Sequence, residues 1–165
     1  MLGALLRLLL IAAFWILGIQ TGELRAQPSM EEYDVKARQL YSFVQYVKWP
    51  GGAPRTVGIL GEDPFGGYLE KALKGRYAIK RSTRADDLKN CQVVFVSKSG
   101  NAGDAIETFG GAHVLTVGDS AGFARQGGII GFTMKGGKVG FEINKAAADR
   151  AGLTINSYLL DLAGR

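Results

Sequence analysis

Apolar side chains recur along this chain with two periods, one helical and one extended. Tyr33, Ala37, Leu40, Val44 and Val47 return at steps of three and four. That spacing predicts a helix with one apolar stripe. Ser29 and Glu32 stand in Ser-x-x-Glu capping-box spacing at its start. Trp49 precedes Pro50, which disfavours helical geometry, so the helix is expected to end near Trp49. Four short extended runs follow: Thr56–Gly61, Tyr77–Thr83, Gln92–Ser97 and Val114–Val117. Between them lie helical stretches from Asp63 to about Lys74, around Asp86–Lys89, and over Asp104–Phe109. Asp63 and Pro64 read as an N-cap and a first helical residue. Lys80 and Arg81 make the second strand read as a sheet edge.

The pattern changes near the C-terminus. Ile129–Lys135 and Lys138–Asn144 alternate strictly and are joined by Gly136–Gly137, which is a hairpin signal. A two-residue turn sets Met134 opposite Val139, Phe132 opposite Phe141 and Ile130 opposite Ile143. That face is wholly apolar. Glu142 then falls opposite Gly131 on the other face. Asn144 is placed to cap a helix over Lys145–Ala151, and a last amphipathic helix covers about Asn156–Ala163. Strands alternating with helices imply an α/β domain with three layers, Rossmann-like. The sheet is mainly parallel and closes with a C-terminal antiparallel hairpin.

Composition narrows the chemistry. One Cys and one His in 165 residues leave no disulfide framework and no multi-His metal site. No cofactor is expected. Arg7 followed by the apolar run Leu8–Ile19 reads as a signal peptide, with the cut set after Ala26. Residues 1–26 are then the leader and 27–165 the domain. Removing the leader leaves a mildly basic chain. An exported protein does not normally meet nucleic acid, so that charge reads as solubility or affinity for an acidic surface.

Open α/β sheets bind ligands beyond the carboxyl ends of their strands. Gly61, Asp63, Ser97 and Asp119 fall there and form the candidate ligand crevice. Asp63 and Asp119 read either as a carboxylate pair or as turn and cap residues. No Gly-x-Ser-x-Gly is present, and His113 lies at the other end of its strand, so a Ser–His hydrolase is excluded. Cys91 without a partner reads as a buried small residue. Phe43, Tyr46 and Trp49, three apart beside the apolar stripe, read either as a partner-binding set or as a wide buried face.

Several separated motifs resemble the YfiR-like periplasmic proteins. They are Tyr33-x-Val35-Lys36-Ala37-x-x-Leu40-Tyr41-x-Phe43, Tyr46-Val47-x-Trp49-Pro50 and Gly61-x-Asp63-Pro64-Phe65-Gly66. Further along come Cys91-x-Val93-Val94-Phe95-Val96-Ser97, Phe141-Glu142-Ile143-Asn144 and Ala151-Gly152-Leu153-x-Ile155-x-Ser157. The resemblance implies an exported regulator without known catalysis. It implies that the partner is the periplasmic part of a membrane diguanylate cyclase or sensor kinase. Cyclic-di-GMP and biofilm output are then controlled, and an OmpA-like lipoprotein sequesters the regulator. Members of this type tend to form dimers. By resemblance the contact surface includes Glu142 and Asn144. Some members carry disulfides, which Cys91 alone cannot supply internally. The alternative is a small-ligand-binding sensor module for a kinase or transporter.

Overall fold

The computed structural model describes residues 29–163, so the signal-peptide reading on residues 1–26 lies outside the described residues. The first helix, α1, covers Met30–Tyr46. Ser29 caps it, its hydroxyl accepting from the Glu32 amide. The helix stops three residues sooner than Trp49. Val47–Lys48 is instead a short strand, β1, pairing antiparallel with Thr154–Ile155, β8. This two-stranded clasp ties the start of the domain to its end. Its residues are too few to show a strand period.

The main sheet contains β2 (Thr56–Leu60), β3 (Ala78–Ser82), β4 (Val93–Val96), β5 (Leu115–Gly118), β6 (Ile130–Lys135) and β7 (Lys138–Ile143). Its order is β3-β2-β4-β5-β6-β7. All pairs are parallel except β6 with β7. The hairpin register is the one its two-residue turn dictates, with Glu142 opposite Gly131 and Phe132 opposite Phe141. Strand order reverses between β2 and β4, because the chain returns from edge strand β3 by a short 3-10 turn at Ala85–Leu88.

Two apolar layers follow from the strand period of two. Val57, Ile59, Val93, Phe95 and Val117 face α1 and α2 (Tyr68–Leu73), against Leu40, Phe43, Leu69 and Leu73. Leu60, Val94 and Val96 face the other way, against Leu88, Phe109 and Phe123, with α3 (Ala102–Phe109) on that side. Asn144 caps α4 (Lys145–Arg150), and α5 (Ser157–Ala163) completes the α1 layer.

The helix expected from Asp63 begins only at Tyr68. Gly66 and Gly67 have φ of 54° and 96°, outside helical backbone, so helical geometry cannot propagate from Pro64. Asp63 instead closes an Asx turn, its carboxylate accepting from the Phe65 amide at 2.9 Å. Among the described residues, no helix is long and apolar enough to cross a membrane.

Candidate functional site

The strand-end crevice lies where strand order reverses, and Ser97 and Ser99 crowd its Gly61 end. Gly61 ends β2 with φ 95°. A Cβ there would lie 2.4 Å from Ser97 Oγ and 2.6 Å from the Gly100 amide nitrogen. Ser97 Oγ donates to the Leu60 carbonyl at 3.1 Å, and the Glu62 amide donates to Ser99 Oγ at 2.8 Å. These contacts close the gap between β2 and β4. Asp63 is held by Arg81, which also grips Glu70. The Arg81 hydrogen bond holds the Glu70 carboxyl below its usual range.

Asp119, at the end of β5, is buried beneath α1. Its carboxylate accepts from Tyr33 Oη at 2.7 Å and from Lys36 Nζ at 2.5 Å. Lys36 also meets Glu32, one helical turn earlier. The side chains of Lys36 and Asp119 are 2% and 1% exposed, so this pair lies inside the protein. Burial, reinforced by the Asp119 hydrogen bond and charge, pushes the Tyr33 hydroxyl far above its ordinary pKa. Asp63 and Asp119 therefore serve separate cations and do not form a joint acid–base pair. Lys36 was the residue sequence reading missed. It sits among Tyr33, Ala37 and Leu40 on the apolar stripe, and that position was the available signal.

The open surface lies elsewhere, in a groove of about 920 Å³ between α1, the β6–β7 hairpin and α5. Phe43 forms its floor. It is 1% exposed and packs against Phe141 and Phe132, with ring centroids 4.8 and 5.8 Å away. The rim carries Tyr46, Met134 and Tyr158, which are exposed, and the two tyrosine rings lie 5.3 Å apart. Glu142 borders the groove on β7, but its side chain points to the opposite face of the hairpin, beside Ala124 and Arg125. One carboxylate oxygen accepts from Arg125 at 3.3 Å. The other, with Gln39 Oε1, is buried without a hydrogen-bond partner among the described residues. Buried acceptors left unpaired are uncommon, because each forfeits its hydration.

The aromatic set on the first helix is thus divided. Phe43 is buried in the groove floor and cannot act as an exposed anchor, and of the three only Tyr46 stands on the rim. Trp49 lies beyond the helix, at the amino ends of the strands, where its indole donates to the Gln92 carbonyl at 3.4 Å. Asn144 is committed to structure. Its side chain accepts from the Ala147 amide and donates to the Ala124 carbonyl. Tyr158 and Met134 join the rim only through the tertiary fold, which brings the C-terminal helix beside the hairpin tip. Burial raises the Cys91 thiol, which keeps it protonated. Among the described residues, no cluster of His, Cys, Asp and Glu has the makings of a metal site.

Two solved structures share the fold. One is a conserved domain protein from Vibrio cholerae, at 14% identity and TM-score 0.56 over 79% of this chain. The other is an ABC domain from Streptococcus pneumonia in complex with L-Trp, at 14% identity and TM-score 0.56 over 78% of this chain. The chain spans about three fifths of each, 58% and 60% of their lengths. No curated protein matches the sequence. A family match covers residues 33–164, from the buried Tyr33 on α1 to just past the end of α5. With the groove-bearing hairpin and both flanking helices inside that span, the chain belongs to the YfiR/HmsC-like family.

Proposed function

We propose that this domain is an exported regulator that binds and restrains the periplasmic part of a membrane signalling protein. The partner we favour is a diguanylate cyclase, so that cyclic-di-GMP and biofilm output fall when the domain is bound. The observation that carries this reading is the groove, with an exposed rim at Tyr46, Met134 and Tyr158 over a floor of Phe43 and Phe141. Exposed aromatics beside a concave, partly polar surface are what protein interfaces use as anchors. Membership of the YfiR/HmsC-like family supports a regulator of this type. Ser97, Ser99 and the Gly100 backbone crowd the Gly61 end of the strand-end crevice, which favours the protein-partner reading over the small-ligand one.

Restraint follows from differential affinity. A regulator that binds the inactive partner about a hundredfold more tightly shifts the partner's equilibrium by about 2.7 kcal/mol. An OmpA-like lipoprotein that covers the same groove would release the partner by competition. The reading is tested by measuring affinity for the purified periplasmic part of the cyclase. Tyr46→Ser with Tyr158→Ser should weaken binding about a hundredfold or more, since each buried aromatic anchor contributes roughly 2 kcal/mol. Unchanged affinity would show that the groove does not bind the partner.

A further inference from the structure

Five connections meet at one end of the domain. Four enter the parallel strands at their amino ends: 49–55 into β2, 74–77 into β3, 89–92 into β4 and 110–114 into β5. Backbone hydrogen bonds set them side by side. The Ala78 amide donates to the Arg55 carbonyl, the Gln92 amide to the Thr56 carbonyl and the Leu115 amide to the Gln92 carbonyl. The fifth, 151–153, joins them through His113, whose Nδ1 lies 2.8 Å from the Ala151 carbonyl oxygen. The charge at this end has one sign. The connections carry Arg55, Lys74, Arg76 and Lys89, with Arg150 just before the fifth, and contain neither Asp nor Glu. All five cations are exposed. Lys89 meets Asp86, and Asp149, beside Arg150, is taken by Lys145. Arg55, Lys74, Arg76 and Arg150 make no ion pair among the described residues. The opposite end is mixed, with Glu62 and Asp63 after β2, Lys98 after β4, and Asp119 and Arg125 after β5.

We infer that this basic end docks the domain on a bilayer that carries anionic phospholipid. Charge complementarity selects the occupant. Each Lys or Arg held near an anionic membrane strengthens binding about fivefold, and four unpaired cations share this end. The aromatic residues among them favour lipid over an acidic protein. Trp49 is half-buried in the first connection, its indole donating to the Gln92 carbonyl, and Tyr77 is half-buried in the second. Trp and Tyr interleaved with Lys and Arg are the side chains that settle at the membrane–water interface. Between Trp49 and Arg55 the chain is an exposed turn in which Gly51 and Gly52 have open space around them, so nothing there shapes a specific protein contact. A depression of about 660 Å³ among Trp49, Arg55, Lys89 and His113 leaves room for headgroups between the cations.

Docking sets the orientation of the rest. β6 starts beside the carboxyl end of β5, with Ile130 opposite Val117, and runs on in the same direction. The Gly136–Gly137 turn therefore projects from the end opposite the cations, and the hairpin side of the groove faces away from the lipid. The inference rests on the basic end alone and requires neither the groove nor its signalling partner.

The test uses the chain from residue 27, which holds the whole described domain and Trp49 as its one tryptophan. Cosedimentation is measured in about 0.1 M salt with vesicles of about one-third phosphatidylglycerol in phosphatidylcholine, and with phosphatidylcholine alone. Binding is expected to the first only, with a blue shift of Trp49 emission, and about 0.5 M salt should release it. Arg55→Gln with Arg76→Gln should lower the partition about twentyfold, with thermal unfolding unmoved because both residues are exposed. Lys135→Gln with Lys138→Gln removes the same charge at the hairpin tip and should leave the partition nearly unchanged. Equal binding to neutral vesicles, binding to neither, or an equal loss from the hairpin-tip pair would overturn the inference. Cosedimentation with unshifted Trp49 emission would overturn it too, by placing the contact on another face. Release by inorganic phosphate beyond that by chloride at equal ionic strength would replace it with a discrete anion site, and binding to polyglutamate but to neither vesicle would replace it with an acidic protein partner.

Discussion

Replacing Lys36 with Met should be among the most damaging single changes in the domain. The Lys36 ammonium sits 2.5 Å from a carboxylate oxygen of Asp119. At an effective dielectric constant of about 20, that separation gives a gross attraction of roughly 7 kcal/mol, most of it offset by desolvation of both groups. Methionine keeps the apolar stem but strips the charge. Asp119 is then a buried carboxylate with only the Tyr33 hydroxyl as donor. Breaking one side of such a pair typically costs about 3–5 kcal/mol. Removing both, with Lys36→Met and Asp119→Leu, leaves the Tyr33 hydroxyl without its acceptor, at about 1–3 kcal/mol, and the partly exposed Glu32 carboxylate without Lys36. The double variant should therefore be more stable than Lys36→Met alone, and adding Tyr33→Phe should recover more. Urea unfolding of the single, double and triple variants measures this directly. A loss below about 1 kcal/mol for Lys36→Met, or simple additivity in the double variant, would refute the assignment of a buried, coupled pair.

Four further outcomes follow from the same geometry. The folded chain holds the Tyr33 proton more tightly than the unfolded chain, whose tyrosine titrates near 10.0. Stability should be fully present below about pH 10 and fall above it by up to about 1.4 kcal/mol per pH unit, and Tyr33→Phe should remove that dependence in alkaline unfolding. Gly61→Ala forces a Cβ against Ser97 and the Gly100 backbone at φ 95°, and should lower stability by about 2 kcal/mol or more in urea. Phe132→Ala empties a core site between Phe43 and Phe95, with an expected loss of about 3–5 kcal/mol. Glu142→Ala should weaken partner binding while thermal unfolding remains cooperative; loss of cooperativity would make Glu142 a structural residue.

The fold was legible wherever local chemistry and burial agreed. Alternation and a Gly-Gly turn were enough to give the β6–β7 register, because a slip of one residue would carry Phe132 and Phe141 out of the core. The layers were legible because continuous apolar runs such as Val93–Val96 must be covered on both faces. The β1–β8 clasp was not, since two-residue strands carry no period. The helix expected from Asp63 failed on two glycines at positive φ, which a capping pattern does not reveal. At the site, Glu142 could be placed from the strand period, and Tyr46 from the helix. Tyr158 and Met134 could not, because only tertiary packing brings α5 beside the hairpin tip. Phe43 and Tyr46 differ by three positions, yet one is core and one is rim. The width of a buried helix face depends on what packs against it, and the sequence does not state that.

We propose above that the groove restrains a membrane diguanylate cyclase. It is tested most directly by intracellular cyclic-di-GMP in a strain lacking this chain, complemented with either the native chain or the Tyr46→Ser, Tyr158→Ser variant at matched abundance. Cyclic-di-GMP should rise on deletion, return to its original level with the native chain, and stay high with the variant. An unchanged level on deletion, or full repression by the variant, would contradict it.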